Sequence, residues 1–194
     1  QGIAAVTISK EFEAWRHRVG FLRRVELSGA GESTWPDLSD AGLIESVDRW
    51  LGPYSARLSH VSHLANLDLL EIHSAGLTYA DQQRLNNLAP KTVQVPSGSN
   101  IRLDYSEDPP VLAVRLQEMF GCVTTPVIAG GVELMVHLLS PAGRPIQVTR
   151  DLAGFWTGSY VEVRKEMRGR YPKHYWPENP LEGWADRRTT RKPS

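Results

Sequence analysis

A single change of hydrophobic period, near residue 90, constrains this chain more than any other feature. Before it, apolar residues recur every three or four positions, the spacing that lines one face of a helix. After it they alternate, the spacing of a half-buried strand. A chain of 194 residues with one such switch reads as α+β: a helical N-terminal half, then a small, mainly antiparallel β-sheet with flanking helices. The expected organisation is a helical region over 1–90, an α+β region over 91–175, and a basic extended tail over 176–194 that is disordered in part.

Capping residues place the helices. Thr7 or Ser9 opens one over 7–26, with Phe12, Trp15, Val19 and Leu22 on one face. Ser39 opens another that runs through Trp50 and stops at Gly52-Pro53. Short helices follow over 60–75, around Leu64, Leu67, Leu70 and Ile72. Thr78, with Asp81 three residues on, opens the last before Pro90. Beyond the switch, 91–96 and 100–105 read as a hairpin across Ser97-Gly98-Ser99. Leu112, Leu116, Met119 and Phe120 fall at helical spacing, which predicts a helix over 111–120. Residues 123–128 are extended, Gly130-Gly131 turns the chain into a strand over 132–139, and Ile146 and Val148 mark a last strand. A helical turn at 150–156 and a helix at 159–169 complete the reading.

The 22 basic and 22 acidic residues cancel, but not locally. Residues 1–30 are net +2, 31–90 net −5, 91–163 net −2 and 164–194 net +5. A neutral total argues against a uniformly basic nucleic-acid binder, while the basic C-terminal end invites an anionic partner. The single cysteine, Cys122, rules out an intrachain disulfide framework and a multi-thiolate zinc site, and suits a reducing, cytoplasmic setting. No apolar run approaches the roughly 20 residues of a membrane helix, and nothing at the N-terminus reads as a signal peptide. The first residue is Gln1 rather than Met, the mark of a piece of a longer protein.

Most chemical motifs are absent or weak. There is no G-x-x-x-x-G-K-[ST] loop, and Gly29-Ala30-Gly31 has neither the lysine nor the preceding strand of a phosphate cradle. His60 and His63, with His73 further on, lack a third ligand at zinc spacing, and His137 alternates with apolar residues as a sheet-surface side chain does. Cys122 has no basic partner nearby to make it a nucleophile. Asp104, Glu107 and Asp108 sit beside a polar turn, where carboxylates are usually solvated. No catalytic residue, metal site or cofactor is assigned to this chain.

The run from Arg164 to Trp176 interleaves cations with aromatic rings. Guanidinium and ammonium groups bind phosphate, and Tyr or Trp faces stack on unpaired bases. A structural reading stands beside this one. Glu162 can pair with Lys165 and Glu166 with Arg170 at helix-neighbour spacing, and Tyr171 and Trp176 can pin the tail to the sheet.

Two long stretches carry a resemblance. Ser140-Pro-Ala-Gly-Arg-Pro-Ile-Gln-Val-Thr-Arg-Asp-Leu-Ala-Gly-Phe-Trp156 and the segment from Ser159 to Pro177, which contains Arg-Gly-Arg-Tyr-Pro-Lys-His-Tyr-Trp-Pro, closely resemble the C-terminal region of the HrpB family of bacterial ATP-dependent helicases. Val95-Pro-Ser-Gly-Ser99, Asp104-Tyr105, Pro110 to Gly121 and Trp50-Leu51-Gly52-Pro53 also resemble that region. The resemblance runs from about residue 35 to the end and is dense from Val95 to Pro177.

This family is a DEAH-type branch of superfamily 2, whose motor is two RecA-like domains with their own phosphate loop. The resemblance therefore implies a non-catalytic accessory region, joined to upstream motor domains that use ATP and magnesium to act on RNA. Regulation, substrate positioning and partner docking all fit such a region, and the residues themselves leave two roles open. One is contact with single-stranded RNA or DNA, with Arg144, Arg150, Arg164, Lys165, Arg168, Arg170 and Lys173 on phosphate and Tyr171, Tyr175 or Trp176 stacked on bases. The other is a protein-docking or scaffold role, packed on the motor or a partner protein without binding nucleic acid.

Overall fold

The computed structural model describes residues 6–57 and 60–186, and the chain divides into two compact units, Gln1–Ala89 and Pro90–Ser194. The first unit is helical: α1 (Lys10–Ala30), α2 (Asp40–Glu45), α3 (Val47–Leu51), α4 (Leu69–Ala75) and α5 (Tyr79–Leu88), with 3-10 turns at Gly52–Arg57 and Val61–Asn66. Side-chain caps set the starts. Ser9, rather than Thr7, accepts from the Phe12 amide at 3.1 Å, Ser39 from Gly42 at 3.1 Å, Asp68 from Glu71 at 3.0 Å and Thr78 from Asp81 at 3.1 Å.

The helix expected from Ser39 through Trp50 breaks at Ser46. Its hydroxyl donates to the Gly42 carbonyl at 2.7 Å, and a new helical turn starts there. Helix α1 packs on α4 and α5 through Phe12, Val19 and Leu22, all buried. Arg18 is buried beside them. Its guanidinium donates to the Ala89 carbonyl at 2.8 Å and to the Asn86 side chain at 3.0 Å, which satisfies the end of α5. His73 lies between the rings of Phe12 and Trp50, and burial pushes its pKa down.

The second unit is α+β. Its strands are β1 (Thr92–Gln94), β2 (Asn100–Asp104), β3 (Val111–Arg115), β4 (Val127–Ile128), β5 (Val132–Glu133), β6 (Met135–Leu139) and β7 (Pro145–Thr149). Helices α6 (Leu152–Thr157) and α7 (Tyr160–Arg170) follow. The main sheet has the order β1-β2-β3-β6-β7, and β4-β5 is a separate two-stranded ribbon. Only β3–β6 is parallel; the other main-sheet pairs are antiparallel. Gly98, at φ 82°, makes the turn between β1 and β2 in a conformation that side chains disfavour.

Two sequence expectations are corrected here. Residues 111–120 are not a helix: Val111–Arg115 is a central strand and Leu116–Met119 a single 3-10 turn. Short apolar runs fit either period, and the pairing of β3 with β2 on one side and β6 on the other decides the matter. Residues 132–139 are not one strand. Leu134, fully buried, separates β5 from β6, and its amide donates to the Pro126 carbonyl at 3.0 Å.

One face of the main sheet is dry. Leu103, Leu112, Val114, Val136 and Leu138 are all buried on it. The opposite face shows Arg102, Ala113, Arg115 and Val148 to solvent, with His137 half-buried between them. Phe155, Trp156 and Tyr160 form an aromatic cluster with Phe120 and Tyr175, at ring separations of 4.9–6.2 Å.

Residues 171–186 form an extended strap that is anchored rather than loose. Trp176, Pro177 and Pro180 are buried. The Tyr160 hydroxyl donates to the Pro177 carbonyl at 2.8 Å, the Gly121 amide to Pro180 at 2.9 Å and the Asp186 amide to Gln117 at 3.2 Å. The rest of the expected tail, 187–194, lies outside the described residues. No helix among the described residues is long and apolar enough to cross a membrane.

Candidate nucleic-acid interface

The basic residues singled out from the sequence sort into held and open groups. Arg164, on the inner side of α7, has a side chain only 22% exposed. Its Nε donates to the Trp176 carbonyl at 3.1 Å, and Nη2 lies 3.2 Å from Glu178. It therefore ties the strap to α7. Arg170 pairs with Glu166 one turn back at 3.1 Å, an exposed pair worth little to stability. Lys165, Arg168 and Lys173 are exposed and have no ion-pair partner among the described residues. Lys165 and Arg168 are three apart and share the outer face of α7.

Arg144 and Arg150 flank β7. Arg144 is exposed in the turn before it, where its amide donates to the Ser140 hydroxyl at 3.1 Å. Arg150 follows the strand and approaches Glu133 at 3.9 Å. Six residues of extended chain separate them by about 20 Å, so they do not share one contact with a single phosphate.

The aromatic residues divide in the same way. Trp176 is 6% exposed and its indole N–H donates to the Tyr171 carbonyl at 3.0 Å. No base can stack on that ring, so the stacking role expected of Trp176 is replaced by an anchoring one. Tyr171 is half-buried, edge-on to His174 at 5.8 Å, and Tyr175 is half-buried against Phe120 at 6.1 Å. Tyr171 lies between the open cations Arg168 and Lys173 in sequence, and Tyr175 two residues beyond Lys173.

Arg115 joins the set from the structure. It is exposed at the end of β3. Its charge reaches His174, whose pKa is pushed down by burial and then by Arg115. The Gln117 amide nitrogen lies 3.0 Å from His174 Nδ1, which fixes the ring. The end of β3 and the segment after α7 thus bring Arg115 together with the His174 neighbourhood, where Lys173 is exposed. Reading 111–120 as a helix hid this; Val111-Leu112-Ala113-Val114 is apolar throughout, so only the pairing of β3 with β2 and β6 placed Arg115 at a strand end.

The other motifs are structural. Cys122 is half-buried, burial pushes its thiol pKa up, and its Sγ–H donates to the Thr124 carbonyl at 3.3 Å. Asp104 accepts from the amide and hydroxyl of Ser106 at 2.9 and 2.7 Å, in a turn. His60 and His63 are edge-to-face at 5.7 Å. Among the described residues no three His, Cys, Asp or Glu side chains converge to hold a metal ion.

Comparison with known proteins places this geometry. Residues 50–180 match the family HrpB_C, described as ATP-dependent helicase C-terminal, and this match crosses the division between the two units. The chain is 47% identical over 162 residues to the ATP-dependent RNA helicase HrpB of Escherichia coli (strain K12), covering 82% of this chain and 20% of that protein. It superposes on the crystal structure of E. coli DExH-box NTPase HrpB with a TM-score of 0.82 at 42% identity, over 97% of this chain and 23% of that one. A second crystal structure, of E. coli DEAH/RHA helicase HrpB, gives a TM-score of 0.69 at 41% identity, over 91% of this chain and 22% of that one. The chain thus spans about a fifth of the length of the relatives it matches.

Proposed function

Because this chain belongs to the family of ATP-dependent helicase C-terminal domains, we propose that it is the non-catalytic accessory part of an ATP-dependent RNA helicase and contacts single-stranded RNA. The ATPase, with its ATP and magnesium, resides in motor domains elsewhere in the parent. This chain contributes a phosphate-contacting surface. The observation that carries the reading is the open cationic group around the end of α7: Lys165, Arg168 and Lys173 are exposed and unpaired among the described residues, whereas Arg164 and Arg170 are engaged internally. Arg115, whose charge reaches His174 next to Lys173, extends this group, and the half-buried Tyr171 lies between Arg168 and Lys173 in sequence. The strap holds the helix end in place, so the cations are presented from a rigid element rather than a loose tail.

The test is fluorescence anisotropy with labelled single-stranded RNA at low and physiological salt. Each phosphate contact contributes roughly −0.7 to the slope of log affinity on log salt for single strands, so three contacts contribute about −2. Reversing Lys165, Arg168 and Lys173 to Glu together should abolish binding at physiological salt, while Arg144→Glu should change it far less. Absence of RNA binding even at low salt, or equal binding by the triple variant, overturns the reading.

A second reading, docking on the motor or a partner protein, has one observation in its favour. Val123, Leu181 and Trp184 are 58%, 39% and 49% exposed. The Gly121–Pro180 hydrogen bond joins the two chain segments that carry them. Apolar surface of this kind suits a protein contact, and the anisotropy result chooses between the two.

A further inference from the structure

The half-buried His174 ring, in the second unit, is held by three neighbours. The Gln117 side-chain nitrogen lies 3.0 Å from Nδ1, Tyr171 meets the ring edge-on at 5.8 Å, and Trp176 lies tilted against it at 6.4 Å. Gln117 and Trp176 are themselves buried, so the ring has a fixed seat. Because the Gln117 amide donates to Nδ1, the ring proton sits on Nε2. That Nε2–H has no hydrogen-bond partner among the described residues and is not sealed from solvent. It is a positioned donor still open to an acceptor from outside the chain.

Arg115 supplies the charge beside it. It stands two residues before Gln117, a span of at most about 7 Å. It is exposed and has no ion-pair partner among the described residues. The other charged groups around His174 are accounted for. Glu118, on the same 3-10 turn as Gln117, is buried and accepts from Ser97 Oγ at 3.0 Å. Asp186 reaches Gln117 through its backbone amide at 3.2 Å, and Lys173 precedes His174 in the strap, exposed. Of these charges Arg115 is the one that acts on the ring: burial holds the His174 pKa below its ordinary 6.5, and the guanidinium pushes it the same way. A guanidinium close enough to oppose a ring proton is close enough to share an anion with the ring. An uncompensated guanidinium offers an oxyanion two parallel charge-assisted bonds, and the imidazole N–H adds a third.

We propose that Arg115 and His174 together bind one phosphate group of single-stranded RNA, Arg115 through its guanidinium and His174 through its Nε2–H. This rests on the RNA contact proposed above for the α7 cations and adds to it a phosphate site with defined donors. The bound phosphate offsets the repulsion between Arg115 and a protonated ring, so the His174 pKa rises when the site fills. The complex then holds more protons than the free chain, and by linkage the affinity for RNA rises as pH falls towards and below 6.5. The Gln117 amide meets a proton on Nδ1 by turning its oxygen to the ring.

The experiment follows the His174 ring by NMR across pH in the whole chain, alone and with oligouridylate, inorganic phosphate or polyglutamate. Fluorescence anisotropy supplies the RNA affinities. Oligouridylate and inorganic phosphate should raise the His174 pKa, and RNA affinity should rise as pH falls. Arg115→Gln removes no contact of the strap, so its Tm should match that of the parent chain. It should raise the His174 pKa in the free chain and weaken RNA binding about tenfold. His174→Phe should weaken binding and abolish its pH dependence. His174→Gln keeps a neutral donor that cannot titrate, and should recover the affinity seen at high pH without the rise at low pH. RNA binding that needs Lys165, Arg168 and Lys173 but leaves both the His174 pKa and the Arg115→Gln affinity unchanged overturns this site and leaves the α7 reading standing. Binding lost in Arg115→Gln but kept when those three are reversed supports this site and overturns the α7 reading. No RNA binding at low salt overturns both, and polyglutamate raising the His174 pKa as far as RNA does would overturn the proposal by assigning the site to an acidic protein.

Discussion

Replacing Tyr160 with Phe tests whether the strap is held as the structure has it. The Tyr160 ring is 1% exposed, and its hydroxyl donates to the buried Pro177 carbonyl at 2.8 Å. Burial pushes the hydroxyl pKa up, so it remains a donor throughout the accessible pH range. The substitution keeps the ring, and with it the contacts to Phe120, Phe155 and Trp156. What is lost is one hydrogen bond, and a buried carbonyl is left unsatisfied, a cost of about 1–2 kcal/mol. For a unit of about 100 residues that lowers Tm by roughly 5–10 °C. Urea unfolding followed by tryptophan fluorescence measures the global cost, and hydrogen exchange locates it. The amides of Gly121 and Asp186 donate to Pro180 and Gln117, across the strap contacts, and should lose protection first. Amides in the middle of α1 should not change. A cost below about 0.5 kcal/mol, or unchanged protection at Gly121 and Asp186, would refute the claim that this hydroxyl anchors the strap.

Other expectations follow from the helical unit. Gly42→Ala would put a Cβ 2.5 Å from the Asp37 backbone oxygen. That position cannot relax cheaply, so a loss of about 1–3 kcal/mol is expected in urea unfolding, and an unchanged midpoint would contradict the packing of α2 on this loop. Glu26 gives a pH dependence. Burial alone would raise its pKa, but the Thr34 amide, the Ser33 and Thr34 hydroxyls and Arg84 outweigh that and hold it below its ordinary 4.5. A carboxylate depressed in the folded state stabilises fully above its unfolded pKa, and that contribution disappears as pH falls through the folded value. The stability gap between the parent chain and Glu26→Gln should therefore narrow as pH drops below 4.5, and a gap independent of pH would remove Glu26 from this role.

The legible part of the candidate interface was its composition. The sequence run from Arg164 to Trp176 announces cations and rings, but not which of them are spoken for. Arg164 and Lys165 are neighbours of similar chemistry, yet one is bonded to the strap and the other faces solvent. The difference arises because a helix turns successive side chains by about a quarter of a turn, and a segment twelve residues later returns to one side only. The ion pairs of α1 with the loop before α2 were hidden for the same reason. Asp40 and Asp37 meet Arg16 and Arg23 only in three dimensions.

What the sequence by itself determined were the features that depend on near neighbours. The caps at Ser39 and Thr78, the turn at Ser97-Gly98-Ser99, the β4–β5 turn at Gly130-Gly131 and helix α7 are all local chemistry. The α+β class follows from the same periodicities. Only the tertiary structure decided that Val111–Arg115 is a strand, that β3 and β6 run parallel, and that Trp176 is an anchor rather than a stacking ring. Each of those depends on partners distant in the chain, where pairing and burial energies outweigh the weak local preference of a five-residue run.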